Sequence, residues 1–466
     1  MRLIILIDIG STFTKVSAVD ISAPALLANT KAPTTPDDVS VGLDAALSSL
    51  KETLGAQGVS RTEIENCRKL ACSSAAGGLR MVAVGLVADL TAKAAKLAAL
   101  GAGARVLKTY SFQLTDADKA EIEELQPDII LLAGGTDGGN QSNIIHNAKV
   151  LGSMNLGIPV VIAGNRSVSR EAASYLSKSC STYIADNVMP EIGKLQVEPA
   201  RNVIRQVFME KIIYAKGLAK ASRLIEGIFM PTPAAVLRTG VLLSKGAGSV
   251  RGWGDLMIVD VGGATTDVHS IGSGNPTKPG AVVRGLPEPF SKRTVEGDLG
   301  VRVSAVPLVE VIGPHVLGER LNMETTVVQQ KAQKMANNPE VLPETSEGKR
   351  FDQALGYYAA HIAVGRHVGH LKEIYTPSGV LWVQEGKDLS NVQTVIGTGG
   401  VFISNSEPLA MLRGVSQDST TPFELRPENP TYYLDRDYLM APIGLLAEEY
   451  PEAALSVLAN SLEVLS

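Results

Sequence analysis

The chain has 466 residues and a mass of 49.1 kDa, which is too long for one ordinary core and predicts roughly two to four domains. Hydrophobic residues make up 45% and charged residues 20%, which is typical of globular proteins and excludes disorder. The net charge is −5 and only 5% of the residues are aromatic, so a nucleic acid is not the expected partner. The longest apolar runs, such as Met81–Ala88, are too short to span a membrane.

Short aliphatic runs alternate with alanine-rich stretches of helical period, a pattern that predicts an α/β fold. Residues 1–7 lead directly into Asp8 without a cleavage site, so they predict a buried strand and not a signal peptide. In chain order, the predicted strands are Leu3–Asp8, Thr14–Asp20, Lys69–Cys72, Met81–Leu86, Asp128–Ala133, Pro159–Ala163, Leu256–Val261, Asp267–Ile271 and Val392–Ile396. The predicted helices are Val39–Leu54, Asp89–Ala99, Ala117–Leu125, Ile144–Asn155, Ser169–Lys178, Arg201–Leu224, Pro233–Ser244, Val327–Asn337 and Phe351–Leu371.

The cysteines and histidines give little sign of a metal site. Cys67, Cys72 and Cys180 are too few for a disulfide framework, and we expect buried thiols in a protein of the reducing cytoplasm. His367 and His370 would share one face of the last predicted helix, as a metal site or as a polar stripe. The polar stripe is the favoured interpretation, because no carboxylate lies at a supporting spacing.

Two pairs of segments repeat along the chain. Leu3–Lys15 (LIILIDIGSTFTK) and Leu256–Asp267 (LMIVDVGGATTD) are each an aliphatic strand that ends in Asp-x-Gly, followed by small or hydroxyl residues and a second strand. Ile130–Gly139 and Val395–Phe402 are each an aliphatic strand that leads into paired glycines. The similar offsets, 252 residues from aspartate to aspartate and 265 from glycine to glycine, predict two halves of similar internal order.

The first Asp-x-Gly segment can bind phosphate. It places Asp8 at the end of a buried strand, and Gly10 lets the backbone turn closely behind it. The backbone amides and the hydroxyls of Ser11 and Thr12 can then bind phosphate oxygens. Lys15 either adds a positive charge to this site or faces solvent as a strand residue. On its own, such a segment is more often an ordinary hairpin turn.

The second Asp-x-Gly segment offers the same groups. Asp260 ends the strand, and Gly262, Gly263 and Thr265 form the turn that would hold phosphate. Asp260 or Asp267 could orient a water molecule that attacks the terminal phosphate. The alternative for Asp267 is that it only caps the turn.

A third motif and a cation complete the predicted nucleotide site. Gly397, Gly399 and Gly400 follow a strand, where glycine lets a base or ribose approach the backbone closely. Asp8 and Asp260 would bind Mg²⁺ largely through water, because this ion dehydrates reluctantly. The three motifs in this order are far more specific than any one of them, and the sequence has no GxxxxGK[ST] phosphate loop.

In this order, the motifs resemble the phosphate-1, phosphate-2 and adenosine motifs of the actin, sugar-kinase and DnaK-type chaperone superfamily. Pro231–Gly240 is similar to the chaperone helix that precedes phosphate-2, although Met230 stands where the chaperones have glutamate, so a hydrolytic role is not carried over to it. Ala264 replaces the third glycine of phosphate-2. We expect ordinary backbone there, because alanine at positive φ would cost about 1 kcal/mol.

Within this superfamily, the whole chain resembles the accessory protein of adenosylcobalamin-dependent glutamate mutase and related aminomutases. Four segments carry the resemblance: Ser73–Gly85, Leu131–Gly139, Asp260–Asp267 and Thr294–Gly300. The resemblance implies a cytoplasmic factor that binds and hydrolyses ATP with Mg²⁺, leaving ADP. Its client would be the mutase, which it reactivates by releasing damaged cobalamin so that intact cofactor can enter. Monomer and homodimer both stay open.

The resemblance also implies a domain organisation. Two duplicated actin-like (ribonuclease H-like) lobes, residues 1–250 and 251–437, would have a nucleotide cleft between them, and a helical segment, 438–466, would pack back on the first lobe. Glu296 and Asp298 lie in VEGDLG, where the chaperones have a loop near the ribose. Glu296 would contact the nucleotide there, or these acidic residues would cap a helix that begins at this point.

Two other functional classes share the superfamily's motifs. Activators of radical dehydratases have the same Asp-x-Gly-Ser-Thr start, but paired cysteines hold their iron–sulfur cluster, and the cysteines of this chain do not resemble that arrangement. A small-molecule kinase would share the fold, and its acceptor site cannot be deduced from this sequence. A filament-forming cytoskeletal relative is a more distant fourth class.

Overall fold

A computed structural model of the chain describes residues 1–35, 38–74, 79–212, 229–377 and 379–465. The chain forms two compact units. Unit 1 comprises Met1–Val236, Gly285–Lys292 and Gly444–Leu446, and unit 2 comprises Leu237–Arg284, Arg293–Ile443 and Ala447–Ser466. The first division falls between Val236 and Leu237, whereas the sequence predicts a boundary after residue 250. The C-terminal segment, which the sequence predicts to pack on the first lobe, lies mostly in unit 2.

Unit 1 contains all the strands and most of the helices predicted for the first half of the chain. Its strands are β1 (Leu3–Ile9), β2 (Phe13–Asp20), β3 (Ala25–Pro33), β4 (Arg68–Ser73), β5 (Leu79–Gly85), β6 (Ala104–Ser111), β7 (Ile129–Leu132), β8 (Val160–Ile162), β9 (Thr182–Ile184) and β10 (Phe229–Pro231). Its helices are α1 (Val39–Ala56), α2 (Arg61–Asn66), α3 (Lys93–Gly101), α4 (Asp116–Leu125), α5 (Ser142–Ser153), α6 (Ser169–Leu176) and α7 (Glu198–Val207), with π-helical turns at Ala88–Ala92 and Phe208–Ile212. Residues 213–224 of the predicted helix Arg201–Leu224 lie outside the described residues.

The first sheet of unit 1 has the strand order β10-β4-β1-β2-β3. Its central strand, β1, pairs antiparallel with β2 and parallel with β4. Every residue of β1 is buried, and a strand covered on both faces must be apolar at every position, which explains the continuous aliphatic run at the start of the chain. The Asp38 side chain caps α1, whose buried residues, among them Leu43, Leu47 and Leu50, recur at helical spacing and join the same core.

A second sheet of unit 1, which the sequence analysis does not predict as a separate layer, has the order β6-β5-β7-β8-β9. All its strand pairs are parallel, and its strand order reverses at β5, as in doubly wound sheets. Alternate residues of β5 face two different cores: Met81 and Ala83 pack in the core that contains β1, and Val82 and Val84 pack in a core with residues of α5 and α6. Burial on both faces again explains the aliphatic run.

Unit 2 contains the rest of the described elements. Its strands are β11 (Gly246–Ala247), β12 (Val250–Arg251), β13 (Leu256–Val261), β14 (Thr266–Ile271), β15 (Val282–Arg284), β16 (Ser291–Glu296), β17 (His370–Thr376), β18 (Gly379–Glu385), β19 (Thr394–Thr398), β20 (Thr431–Leu434) and β21 (Glu463–Leu465). Its helices are α8 (Thr232–Lys245, which begins in unit 1), α9 (Ala305–Ile312), α10 (Pro314–Leu321), α11 (Thr325–Asn337), α12 (Ser346–His367), α13 (Gly400–Ser404), α14 (Pro408–Leu412), α15 (Met440–Leu446) and α16 (Pro451–Ser461), with a 3₁₀ turn at Arg413–Val415.

The main sheet of unit 2 has the order β16-β14-β13-β19-β20-β21 and repeats the first sheet of unit 1. In both sheets the central strand is antiparallel to the next strand in the chain and parallel to the strand on its other side. This confirms the α/β fold with two duplicated lobes. The 252-residue offset therefore relates equivalent hairpins, whereas the second offset does not relate equivalent strands, because β7 belongs to the additional sheet of unit 1.

Several details differ from the sequence predictions. The predicted helix Phe351–Leu371 ends at His367, and His370 begins β17, so the two histidines share no helical face. His367 is buried, and its ring nitrogens contact the hydroxyls of Ser270 and Thr294, each at 2.8 Å. The C-terminal segment is helical as predicted but ends in β21, which pairs with β20. No helix in the described ranges is both long and apolar enough to cross a membrane.

Candidate functional site

The first Asp-x-Gly turn joins β1 to β2. The Gly10 amide donates to Phe13 O at 3.1 Å, and a Cβ on Gly10 would lie 2.6 Å from that oxygen, so this position needs glycine. The Thr34 hydroxyl donates to Gly10 O at 2.9 Å. Because the C=O and N–H of one trans peptide point in opposite directions, the Ser11 N–H points away from Thr34. Ser11 and Thr12 are exposed, so this amide and both side chains lie at the surface of unit 1.

Asp8 lies almost completely buried beside this turn, with 3% of its surface exposed. The Thr232 hydroxyl donates to its Oδ1 at 2.7 Å, and the Lys15 ammonium lies 3.6 Å from its Oδ2. The Cys72 thiol on the neighbouring strand lies 3.5 Å from Oδ1. Burial, and then the charge of Asp8, raise the pKa of this thiol well above its ordinary value, so Cys72 stays neutral. Of the two roles considered for Lys15, the structure places its charge at Asp8.

The second turn, residues 262–265, is held by hydrogen bonds from one neighbouring segment, residues 301–304. The Gly262 amide closes the turn by donating to Thr265 O at 2.9 Å. The carbonyl oxygens of residues 262–264 accept hydrogen bonds from the segment 301–304: Val301 N to Gly262 O at 3.1 Å, Arg302 N to Gly263 O at 2.9 Å, and the Ser304 hydroxyl to Ala264 O at 2.7 Å. This segment therefore fixes the orientation of three consecutive peptide groups.

The amides of the same peptide groups point the other way. Because C=O and N–H lie on opposite sides of a trans peptide, the N–H groups of Gly263, Ala264 and Thr265 point away from the segment 301–304. None of these amides donates to any residue that the structure describes. Successive amides on one side of a turn form an anion site. Ala264 is not among the residues with positive φ, which confirms the prediction of ordinary backbone at this position.

The two aspartates of the second hairpin have different surroundings. Asp260 and Asp267 are cross-strand neighbours on β13 and β14. Asp267 is buried, and its Oδ1 accepts from Arg293 Nε at 2.7 Å and lies 2.6 Å from Arg293 Nη2. The Thr265 hydroxyl donates to its other oxygen at 3.2 Å. Both oxygens of Asp267 thus have protein partners, and Asp260 is half-buried near the end of its strand.

The glycines of the third motif connect β19 to α13. Gly399 has a φ of +111°, and a Cβ there would lie 2.4 Å from Val261 O on the adjacent strand, β13. The end of β19 therefore approaches the strand of Asp260 closely, and this contact with the neighbouring strand requires glycine at position 399. Gly400 begins α13, and Tyr438 holds its hydroxyl 3.6 Å from the position of a Gly400 Cβ.

We expect Gly399→Ala to destabilise the protein by clearly more than about 1 kcal/mol, because the backbone of Gly399 (φ +111°, ψ 155°) lies in a region that is essentially restricted to glycine and the added methyl also collides with Val261 O. Gly280→Ala is the matched control, because Gly280 also has a positive φ, +74°, but no heavy atom within 4 Å of the new methyl. The free energy of unfolding from urea denaturation measures both. Equal losses in the two variants would show that the contact with β13 does not contribute.

Three residues near these motifs are absent from the sequence-based predictions. Thr232 binds Asp8, and Asp435 accepts from the Thr398 hydroxyl at 3.0 Å and from the Leu439 amide at 2.7 Å. Tyr438 has a φ of +54°, an uncommon conformation for an aromatic residue that often marks a functional site. A strand ending in aspartate (Thr431–Leu434, then Asp435) is the signal that could have drawn attention to this segment.

Glu296 and Asp298 are placed by a strand and not by the expected helix. Glu296 ends β16, and the next helix, α9, begins only at Ala305, so the prediction of a helix cap at VEGDLG is wrong. The Arg366 guanidinium donates to Glu296 Oε2 at 2.7 Å and to both oxygens of Asp298, at 2.8 and 2.9 Å. The hydrogen bonds from Arg366 hold the pKa of Asp298 below its ordinary value. Asp298 is therefore charged, and one arginine orients both acids.

The glycine-rich segment Leu131–Gly139 lies at the carboxyl end of β7, in the additional sheet of unit 1. The buried Asn165 and Asn187 side chains hold this loop through its backbone, for example by donating to Gly139 O and Gly135 O. A pocket of about 540 Å³ opens beside it. Ser73–Gly85 is another of the four segments that carry the family resemblance, and its residues 75–78 lie outside the described residues.

Each Asp-x-Gly turn, taken by itself, offers one carboxylate to a cation that keeps most of its water. The described ranges contain no group of three or more histidine, cysteine or carboxylate side chains arranged to hold a metal ion directly. Asp8 lies beside the first turn, in unit 1, and Asp260 lies beside the second turn, in unit 2. One or two carboxylates, several waters and phosphate oxygens are the ligand set that Mg²⁺ prefers.

Comparison with known proteins gives a family match over nearly the whole chain. The family described as MutL protein matches residues 4–462. Protein MutL of Clostridium tetanomorphum is 48% identical over 460 residues, which cover 98% of each chain. Among solved structures, the diol dehydratase-reactivating factor in its nucleotide-free form covers 97% of this chain and 100% of its own at 9% identity, with a TM-score of 0.37. Component A of (R)-2-hydroxyglutaryl-CoA dehydratase from Acidaminococcus fermentans gives the same coverage and identity with a TM-score of 0.33. These two scores are too low to support any conclusion.

Proposed function

Since the chain belongs to the MutL family, we propose that it is an ATP-hydrolysing, chaperone-like factor that reactivates an adenosylcobalamin-dependent mutase. Its action on the client is to promote release of damaged cobalamin, so that intact cofactor can bind. Glutamate mutase and related aminomutases are the proposed client class, because the whole chain resembles their accessory protein. ATP supplies the energy, ADP is the product and Mg²⁺ is the proposed cation.

One observation carries the nucleotide part of the proposal. Three consecutive amides, of Gly263, Ala264 and Thr265, point away from the segment 301–304 and have no acceptor among the described residues. Such a group of fixed donors favours an anion with several oxygens, because no donor has to be reoriented when the anion binds. We assign it to phosphate groups of ATP, together with Gly262.

The first turn would also bind phosphate, through Gly10 and the Ser11 and Thr12 side chains. Lys15, 3.6 Å from Asp8, adds a positive charge beside this turn. When bound, Mg²⁺ would neutralise phosphate charge, with Asp8 and Asp260 as its protein carboxylates.

Asp260 is the proposed residue that orients the attacking water. Asp267 is the weaker candidate, because Arg293 and Thr265 already occupy both of its oxygens. A carboxylate has about four lone-pair sites, and the donors from Arg293 and Thr265 use three of those of Asp267, so only one site on Oδ2 is left for a water molecule. Glu296, Gly397, Gly399 and Gly400 are assigned to the ribose and base of the nucleotide.

The structure favours neither of the other two classes. Cys67, Cys72 and Cys180 are all buried and do not resemble the paired cysteines that hold the cluster of the dehydratase activators. A purified protein that contains stoichiometric iron would support the dehydratase activator instead. Dependence of ATP turnover on an added sugar or organic acid would support a small-molecule kinase.

The experiment that tests the proposal measures phosphate release from Mg-ATP by the purified protein, alone and with a cobalamin-dependent mutase. We expect release without any small-molecule acceptor and faster release in the presence of the mutase. An unrelated cobalamin-free enzyme is the control for nonspecific stimulation. Absence of phosphate release in all mixtures would refute ATP hydrolysis, and equal release with both enzymes would refute the client.

A further inference from the structure

The inference concerns the pocket of about 540 Å³ beside the loop 134–139 in unit 1. Its lining comes from the ends of three neighbouring strands of the additional sheet: Asp137 follows β7, Arg166 and Ser169 follow β8, and the stretch 184–196 begins at the last residue of β9. The three strands are parallel, so these residues lie at one edge of the sheet. Open parallel sheets bind their ligands outside the carboxyl ends of their strands. The pocket therefore lies where a sheet of this kind holds a ligand.

Two buried asparagines fix the wall of this pocket. Asn165, after β8, accepts from the Gly138 amide at 3.2 Å. Asn187, after β9, donates to Gly135 O at 3.0 Å and to Asp137 Oδ1 at 2.9 Å. Each asparagine therefore ties its own loop to the loop after β7. Buried polar groups that are fully hydrogen-bonded are rigid, so little reorganisation is needed when a ligand binds.

The charges of the lining do not balance. Five charged side chains line the pocket, three carboxylates and two cations. Arg166 Nε lies 3.5 Å from Asp137 Oδ2, and the Lys194 ammonium donates to Glu191 Oε1 at 3.0 Å. The exposed carboxylate of Asp186 has no ion pair or hydrogen bond with any residue that the structure describes. The lining thus has a surplus of one negative charge, and Asp186 carries it.

Uncharged groups of the lining also have free hydrogen-bonding capacity. The half-buried Gln196 side chain has no partner in the described part of the chain, and its amide offers both an acceptor and donors. The buried Ser169 hydroxyl donates to Arg166 O at 3.1 Å, which leaves its oxygen free to accept. Ile184, which is 47% exposed, adds an apolar surface. The pocket therefore offers acceptors, a negative charge and an apolar contact.

We propose that this pocket binds a small organic amine with a single positive charge. Its ammonium group would pair with Asp186 and donate to Gln196 or Ser169, and its carbon skeleton would contact Ile184. One positive charge balances the lining, and sites for small molecules measure about 300–1,000 Å³, a range that includes this pocket. The proposal does not depend on the proposed function, because no residue of either Asp-x-Gly turn lines the pocket.

Other classes of ligand fit the lining less well. A phosphate or a carboxylate would meet three carboxylates, and both cations are already paired with two of them. A metal ion would need several protein ligands, and the described ranges hold no group of three or more carboxylate, histidine or cysteine side chains arranged for one. An apolar compound would cover charged side chains without replacing their hydrogen bonds to water. An amine avoids all three costs.

Calorimetric titration of the full chain with primary amines tests the proposal. The probes are amines from ethylamine to 2-phenylethylamine, each paired with the alcohol of the same carbon skeleton. We expect saturable binding of at least one amine and at least tenfold weaker binding of its alcohol, because a hydroxyl cannot form the charged pair with Asp186. No binding of any amine at millimolar concentrations, or equal binding of amine and alcohol, would overturn the proposal.

A charge variant tests the role of Asp186. Asp186→Asn should weaken amine binding at least tenfold, because it removes the negative charge and keeps the shape of the side chain. Asp116→Asn is the matched control: Asp116 is exposed at the start of α4 and does not line the pocket, so this variant should bind the amine as the wild-type chain does. Equal affinity of the wild-type chain and Asp186→Asn, or equal losses in the two variants, would overturn the site.

Hydrogen–deuterium exchange locates the site without any substitution. Amine binding should slow the exchange of backbone amides in the loop 185–196, which contains Asp186 and Gln196. The turn 262–265 in unit 2 is the internal control, and its exchange should not change. Protection confined to segments other than 185–196 would place the amine elsewhere and overturn the proposal.

Discussion

The double variant Asp8→Asn, Asp260→Asn is expected to lose ATP turnover by on the order of hundredfold or more while keeping its fold. Asparagine matches aspartate in shape and can still accept the hydrogen bond from Thr232, so the first turn should persist. It cannot supply the negative charge that would hold Mg²⁺ or orient the attacking water. Steady-state phosphate release measures the loss, and circular dichroism checks the fold.

A matched control lies just before the strand of Asp260. Asp255 is an exposed aspartate that precedes β13 at the end opposite Asp260, so Asp255→Asn removes the same charge from the same unit. This variant should hydrolyse ATP at the wild-type rate. If the double variant also retained that rate, neither carboxylate would take part in the reaction.

Breaking the buried ion pair between Arg302 and Asp352 is expected to destabilise the protein by about 3–5 kcal/mol. The Arg302 guanidinium donates to both carboxylate oxygens of Asp352, at 3.0 and 2.5 Å, and both residues are buried. Arg302→Ala would leave Asp352 buried without its partner, and burial already raises the pKa of that carboxyl. The free energy of unfolding from urea denaturation measures the loss.

The double variant Arg302→Met, Asp352→Leu separates the ion pair from the phosphate turn. Apolar residues of similar volume often replace a buried ion pair at little cost, so most of the stability should return. The backbone bond from residue 302 to Gly263 O does not depend on the side chain, and ATP turnover should therefore be kept. If the double variant were as unstable as Arg302→Ala, the loss of stability could not come only from leaving the buried charge of Asp352 unpaired.

The sequence predicted the central strands well because their environment is uniform. β1 and β13 are covered on both faces, so nearly every position is apolar and the run is visible without any other information. β3 and β17 escaped prediction because they lie at sheet edges, where exposed and polar positions interrupt the pattern. The helix prediction that crossed from α12 into His370 failed for a related reason, since a polar strand directly follows the helix.

Only those site residues could be predicted that lie close together in the sequence. An aspartate at the end of a buried strand, followed by glycine and hydroxyl residues, can be recognised within a few positions, as at Asp8 and Asp260. Thr232, Arg302 and Tyr438 come from segments distant in sequence, and only the fold brings them to the turns. The additional sheet of unit 1 was missed because its strands have the same buried aliphatic pattern as those of the first sheet.

Cobalamin exchange on an inactivated client is the measurement that tests the central claim most directly. A cobalamin-dependent mutase carrying damaged cofactor is mixed with this protein, Mg-ATP and free adenosylcobalamin, and the recovery of mutase activity is followed. We predict recovery with the wild-type chain and ATP, and none without ATP or with the Asp8→Asn, Asp260→Asn variant. Recovery at the same rate without ATP, or no recovery with glutamate mutase or any related aminomutase, would contradict the account.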